Sequence, residues 1–364
     1  MIPYIVLVFL PGIYALILKL SRSREDNVGS RSISLFFFIW LLLLALRRND
    51  IGVDLDNYKY LFSEASQLSL KSALSYWSDF EGGYIVFNSI LSHLTHDFQW
   101  LLVFSGLITI IPMWLFYIKR TEQPLFVIAL FMGLTSFPLY FSALRQVMAM
   151  AFVFPAFELA CKKQIAPFLA IVLLAFLFHS SSFILLLVYP LCNIRLKKDS
   201  LWWIVGLSLL IFLLSKYVFN VFLVFLNDKY VELYGQVDNN GAYMMLALYL
   251  ILLCYSFILA DEKKMSKELI AMRNLAALVV FIQPIASVSH VAMRFNYYFL
   301  PFMPLLIAHV TKYPQPKYKI ISFVARIAMT LFFLYYYFRT VYSGTVFDTD
   351  LLQIYPWIPY WSHI

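Results

Sequence analysis

The chain has 364 residues, of which 62% are hydrophobic and only 13% charged, and its formal net charge is +8. About a quarter of the residues of a typical soluble domain are charged, so this composition, with a mean hydropathy of +0.78, excludes an ordinary soluble globular protein and defines an integral membrane protein. The positive balance does not point to nucleic acid, because the basic residues lie in short connections between apolar runs, where they set membrane topology.

A helix needs about 20 consecutive apolar residues to cross the hydrocarbon core. The first run, residues 3–20, has no basic segment before it and no small-residue cleavage site after it, so it reads as a retained span rather than a signal peptide. Further spans are predicted at 31–46, 99–118, 124–141, 143–161, 200–226, 242–260, 274–292, 295–311 and 318–338. The stretch 165–192 is too long for one comfortable helix, and His179, Ser180, Ser181 and Ser182 stand at its middle. Two short helices folded back at His179 keep these polar groups out of lipid.

The basic residues test that choice, since Lys and Arg in short loops gather on the cytoplasmic side. With the hairpin, one face collects Lys19, Arg22, Arg24 and Arg31, then Lys119 and Arg120, Lys162 and Lys163, and Arg195, Lys197 and Lys198. Lys263, Lys264, Lys267 and Arg273 follow, and then Lys312, Lys317 and Lys319, so this face holds most of the 28 basic residues. One uninterrupted span would reverse every later loop. The expectation is an all-α polytopic protein with about 12 membrane segments, both termini outside, and a single transmembrane domain over 1–364. Its outer segment 47–98 carries charged motifs, with the amphipathic stretch 82–95 at the interface. Cys161, Cys192 and Cys254 fall near cytoplasmic helix ends and do not form an external disulfide framework.

Other cations lie on the outer face, against the general bias. Arg47 and Arg48 end the second span, Arg145 begins the fifth, Arg294 lies between later spans and Arg339 follows the last; His179 and His290 join the same layer. A charge at mid-bilayer costs at least about 2.5 to 3.5 kcal/mol, so each requires a reason. Snorkelling to headgroups or pairing with a carboxylate is the plain explanation. For Arg145 it is weaker, because no acidic residue stands between Glu122 and Glu158. A guanidinium is a rigid fork of donors matched to phosphate oxygens, so a phosphate ligand is the chemical alternative. Asp50, Asp54, Asp56, Asp79 and Glu81 form an acidic cluster in the outer segment. Such carboxylates pair with arginine, hold sugar hydroxyls or act as a base, and an imidazole at position 179 is a competing base. The abundant aromatics, including those of the tail Ile354–Trp361, are interfacial by default. No Walker loop, GxGxxG, HExxH or paired cysteine ligand set is present, and Glu81-Gly82-Gly83 marks only a loop. No cofactor or metal is called for.

The pattern Arg48-x3-Gly52-x-Asp54-x3-Tyr58 resembles the RxxxGxDxxxY element of EpsG-like, Wzy-type bacterial polysaccharide polymerases. Glu81-Gly82-Gly83-Tyr84, Leu144-Arg145-Gln146, His179-Ser180-Ser181 and Arg294 with Tyr297 and Tyr298 are similar to further elements of that family, in the same order. The resemblance implies a glycosyltransferase C-type fold and a metal-independent transfer of glycan from an undecaprenyl pyrophosphate carrier to a lipid-linked acceptor repeat unit, at the outer face of a bacterial inner membrane. It implies that Arg48, Arg145 and Arg294 bind pyrophosphate, that Asp54, Glu81 or His179 is catalytic, and that Tyr58, Tyr84, Gln146 and Tyr298 position the sugar. Since only Arg48 matches the pattern, Arg47 is expected to tolerate lysine better. Partners would be the lipid-linked oligosaccharides, membrane lipids and a chain-length-regulating co-polymerase. A flippase, a ligase onto lipid A and a membrane O-acyltransferase are the alternatives. Charges confined to one face argue against a flippase path, and residue chemistry alone does not separate polymerase from ligase.

Overall fold

The computed structural model describes residues 1–21, 28–223, 241–288, 290–346 and 352–362. Side chains of 220–223, 241, 290 and 291 are outside that description, the His290 imidazole among them. Among the described residues the secondary structure is helical throughout, with only isolated β-bridges. Six helical stretches are long and apolar enough to cross a membrane: 2–20, 28–45, 99–118, 144–161, 267–287 and 316–346. Shorter apolar helices occupy 124–134, 165–178, 180–193, 200–213 and 242–258. The protein is a multi-pass membrane protein. The chain forms two compact units, one of Met1–Ala156, Ala166–Phe183 and Ala328–Ile364, the other of Phe157–Ile165 and Ile184–Ile327.

The first unit is built on α1 (Ile2–Leu20), α2 (Val28–Ala45), the shorter helices α3 (Leu55–Ala65), α4 (Leu70–Tyr76) and α5 (Gly82–Leu94), then α6 (Gln99–Ile118), α7 (Pro124–Leu134), the single turn α8 (Leu139–Ser142) and α9 (Leu144–Ala151). Lipid offers apolar side chains no less comfort than a protein interior, so association depends on close packing and on hydrogen bonds between helices. Both occur around α2. Trp40 is fully buried among Phe36, Phe37, Phe131, Phe137 and Tyr140, with ring centroids 4.7 to 6.0 Å away. The Trp114 indole of α6 donates to Ser34 Oγ at 2.8 Å, which gives each polar atom a partner in an apolar setting. The span predicted at 124–141 breaks instead after Leu134, because Ser136 and Pro138 interrupt the helix and α8 is a separate turn.

In the second unit the helix Lys267–Ile282 packs against 188–193, 200–213, 241–258 and 303–312. It begins seven residues before the predicted start at 274, and this corrects the placement of Arg273 in a loop. Arg273 is fully buried, paired with Glu262 at 2.5 Å and lying over the Phe257 ring at 4.2 Å. The adjacent Asn274 Nδ2 donates to the Leu191 and Ile194 carbonyls at 2.8 and 2.7 Å, satisfying acceptors left open at the end of a helix. The predicted span 295–311 is not one continuous helix. The chain leaves helix after Asn296, takes a 3₁₀ turn at Leu300–Phe302 and resumes at Met303–Lys312.

The fold-back at His179 is present. The helix α11 (Ile165–Phe178), which follows α10 (Val153–Cys161), ends there, and the return begins as a 3₁₀ segment, Ser180–Leu187, that continues into Val188–Asn193. With rises of about 1.5 and 2.0 Å per residue the two arms measure about 21 and 25 Å, so they are matched in length. Their feet meet: Asn193 Nδ2 donates to the Ala160 carbonyl at 3.2 Å and Tyr189 to the Lys163 carbonyl at 3.4 Å. At the near foot Lys163 has φ 59°, and the bonds Gln164 N to Leu159 O and Lys163 N to Ala160 O complete a Schellman ending.

Two outcomes follow from the hairpin. In a background with the native cysteines replaced by serine, Lys162→Cys and Lys197→Cys react with an impermeant thiol reagent from the same side of the membrane, and Asp79→Cys from the opposite side; labelling of the two lysine positions from opposite sides would refute the fold-back. Lys163→Gly, which removes the steric cost of a left-handed backbone, stabilises the detergent-solubilised protein by about 1 kcal/mol, read as a higher thermal midpoint.

Candidate active site

The site is assembled within the first unit, from the end of α2 outward. The chain leaves α2 at Ala45 and is met there by the tail, residues 352–362. Tyr360 N donates to Leu46 O, Arg48 N to Ile358 O, Gly52 N to Gln353 O and Val53 N to Leu352 O, at 2.8 to 3.2 Å. The Trp357 indole donates to Leu43 O at 2.9 Å and Tyr4 to Ile354 O at 2.5 Å. Ile354 and Tyr355 are buried. The tail is therefore a strap over carbonyls that α2 leaves open, not an interfacial fringe. Gly52 has φ +125°, and a Cβ there would run into the Phe141 carbonyl. Any other residue is strained at this turn.

Arg47 and Arg48, adjacent in sequence, have different surroundings. Arg48 is partly exposed and forked onto Asp50, with Nε to Oδ1 at 2.7 Å and Nη2 to Oδ2 at 2.6 Å. That bond to Arg48 holds the Asp50 carboxyl below its usual range. Arg47 is the buried one, donating from Nη2 to Phe141 O at 2.8 Å. The two arginines therefore differ in setting: Arg47 is buried against a backbone carbonyl, and Arg48 is forked onto a carboxylate at the surface. Asp54 stands at the N-cap of α3, but its side chain does not cap the helix and is half-buried.

Arg145, in the first turn of α9, reaches Glu81 at the N-cap of α5: Nη1 to Oε2 is 2.5 Å. The other Glu81 oxygen accepts the Ser180 backbone N–H at 2.9 Å. Phe80 lies against the guanidinium, 4.4 Å from ring centroid to Cζ, and Tyr58 also hydrogen-bonds to Arg145. Tyr58 packs edge-on to Tyr84 at 5.5 Å, with both rings buried. His179 is buried beside this group, and its Nδ1 accepts the Ser181 backbone N–H at 3.2 Å and contacts Ser181 Oγ at 2.8 Å. Five of the expected site residues, Tyr58, Glu81, Tyr84, Arg145 and His179, thus come together, and Asp54 is near enough to act electrostatically on Tyr84. Gln146 is buried in the next position of α9. Arg48 is engaged by Asp50 instead. Arg294 and Tyr298 belong to the second unit, Arg294 half-buried in the last turn of His290–Asn296 and Tyr298 fully buried beside Phe299.

Gly83 was legible only as a loop marker. A Cβ there would lie 2.7 Å from the Leu177 side chain and carbonyl, so its bare backbone lets α5 touch the end of α11 and delivers Glu81 to the Ser180 amide.

Burial pushes the Glu81 carboxyl up, but the Arg145 guanidinium and the Ser180 amide outweigh it, and the group is held below the usual carboxylate range. With both oxygens occupied, Glu81 is suited to holding Arg145 and poorly suited to taking a proton. A neutral His179 that accepts an N–H at Nδ1 carries its proton on Nε2, which makes it a donor. Among the described residues no group of three His, Cys, Asp or Glu side chains is placed to hold a metal ion.

The chain is thus a many-helix membrane protein in which a guanidinium walled by an aromatic ring is held by a carboxylate, with tyrosines and a histidine around it. The EpsG family model matches residues 31–362, and the chain belongs to the EpsG family, which is related to the Wzy-type polymerases. That membership fits a polysaccharide polymerase-type function. No curated protein and no solved structure matches the chain.

Glu81→Gln keeps one acceptor oxygen for two donors, so that either Arg145 or the Ser180 amide faces an N–H, and it destabilises the protein by about 2 kcal/mol at neutral pH. Because the folded pKa of Glu81 is depressed, its contribution is present above the unfolded carboxyl value, about 4.3, and is lost as pH falls through the folded one. The difference in thermal midpoint between wild type and Glu81→Gln is therefore constant from about pH 8 to 5 and closes on further acidification.

Proposed function

We propose that the protein is an oligosaccharide repeat-unit polymerase that transfers a glycan from undecaprenyl pyrophosphate to a lipid-linked acceptor repeat unit at the outer face of the bacterial inner membrane. The observation that carries this reading is the half-buried Arg145 guanidinium, held by Glu81, Tyr58 and the Phe80 ring. A sugar pyrophosphate leaves with developing negative charge, and a preorganised guanidinium stabilises that charge without solvent reorganisation. Glu81 holds Arg145 until a phosphate oxygen takes its place.

The acceptor hydroxyl oxygen forms a bond to the anomeric carbon as the bond from that carbon to the pyrophosphate oxygen breaks. The hydroxyl proton passes to a base, and the electron pair of the broken bond leaves with the lipid pyrophosphate. Asp54, half-buried at the N-cap of α3 and close to the Tyr58 and Tyr84 pair, is the candidate for that base. Tyr58 and Tyr84 present phenol groups to sugar hydroxyls, and His179 offers an N–H from Nε2. Arg48 contributes to phosphate binding if it is released from Asp50, and Gln146, Arg294 and Tyr298 keep the substrate roles the family resemblance implies. Chain length is left to a partner co-polymerase.

Deletion in the native host collapses the surface polysaccharide ladder to a single repeat unit on its lipid carrier or core. Complete loss of surface glycan would favour a flippase or ligase instead. Complementation with Asp54→Asn at normal protein level lowers polymer formation about 100-fold, as expected for removal of a general base, and a normal ladder from this variant would exclude Asp54 from that role.

A further inference from the structure

Arg48 and Arg145 each have a carboxylate partner. Arg47 forms no ion pair among the described residues, although its side chain is only 1% exposed. Burial pulls its pKa down to about 9, so it remains a cation at neutral pH. Nε and Nη1 are buried without an acceptor. The hydrogen bond from Nη2 and the face-on contact, 5.0 Å from the ring centroid, both go to Phe141. Keeping an unpaired guanidinium out of water is costly, and position 47 is not among the family-matching motif residues, so the placement calls for an explanation at Phe141.

Phe141 and Ser142 form the end of α8, four and three residues before Arg145. Ala143, between α8 and α9, has φ −84° and ψ 62°, outside helical values. The direction in which α9 starts, and with it the aim of Arg145, is therefore set by this turn and not inherited from a continuous helix. The turn is gripped from several sides. Arg47 holds the Phe141 carbonyl, Ser142 Oγ donates to Leu352 O at 3.1 Å and accepts Val53 N–H at 3.3 Å, and Gly52 admits the Phe141 carbonyl where a side chain would stand.

We propose that Arg47 is a positioning residue of the site, which by holding the Phe141 carbonyl fixes the turn that aims Arg145 at Glu81 and at the ligand. The proposal rests on reading Arg145 as the pyrophosphate-binding group. The two neighbouring arginines then have different roles. Arg47 acts through Phe141, whereas Arg48 is exchangeable between Asp50 and solvent or ligand.

The test is a double-mutant cycle in membranes of the native host carrying endogenous lipid-linked repeat units, with polymer formed per unit of protein as the readout. Displacing a reacting group by about 1 Å costs about 100-fold, so Arg47→Met lowers the rate by about that factor. Arg47→Lys, which still donates one bond to Phe141, recovers part of it. Interacting residues are non-additive, so Arg47→Met added to Arg145→Lys costs at most about twofold beyond Arg145→Lys alone. Ser142→Ala, which loosens the same turn without removing a charge, gives a milder loss that also disappears in the Arg145→Lys background. These results keep the positioning role even if Arg47→Met accumulates poorly, because Arg47→Lys and Ser142→Ala carry the same signature. Losses that multiply in the double variants overturn the role of Arg47 and leave the reading of Arg145 intact. Normal polymer from Arg145→Lys overturns that reading and the proposal together.

Discussion

The salt bridge from Arg145 Nη1 to Glu81 Oε2, 2.5 Å long, ties together parts of the first unit that are far apart in sequence. Arg145 opens α9, Glu81 opens α5, and the second Glu81 oxygen reaches the amide of Ser180 at the hairpin tip. An isolated guanidinium in this environment would pay heavily for leaving water, and a carboxylate with one partner would leave an oxygen unsatisfied. Each of these groups is tolerable only because the other two are in place. The aromatic walls, Phe80, Tyr58 and Tyr84, exclude water and thereby strengthen the pair.

The same requirement governs the rest of the architecture. Every helix ends with carbonyls that lack intrahelical partners, and a membrane protein has little water with which to satisfy them near its core. At α2 the tail donates from Tyr360 N–H to Leu46 and from the Trp357 indole to Leu43, and its carbonyls accept the N–H groups of Arg48, Gly52 and Val53. At the end of Val188–Asn193, Asn274 supplies its amide to two carbonyls and Arg273 reaches the Leu196 carbonyl. Residues whose chemistry suits ligand binding or topology are in these cases structural donors. The charged knot is therefore part architecture and part site: Arg47 and Gly52 organise the turn at Phe141, while Asp54 lies at the edge of the Tyr58 and Tyr84 pair.

Function follows from where satisfaction is incomplete or exchangeable. Glu81 is saturated, so its carboxylate serves to hold Arg145. On the function proposed above, an incoming phosphate oxygen would recruit Arg145 by displacing a single carboxylate oxygen, an exchange of one anionic acceptor for another.

Composition alone determined that the chain is a helical membrane protein, and hydropathy located most of the helices because apolar length is a local property. The fold-back at His179 was also legible, since polar residues midway along an apolar run have no place in lipid and the basic loops on either side agreed. The grouping of Tyr58, Glu81, Tyr84, Arg145 and His179 was anticipated only through the family resemblance. Periodicity says nothing about which distant helices face one another. Tertiary structure alone decided that Arg47 is buried and Arg48 forked onto Asp50, because two adjacent arginines at a helix end are chemically identical until the turn at Gly52 sends their side chains in different directions. It also decided that Gly83 is a point of contact with Leu177, that the tail is a strap, and that Arg273 lies inside its helix bundle. In each case the determining partner is a backbone carbonyl or a side chain far along the chain, and only folding brings it within reach.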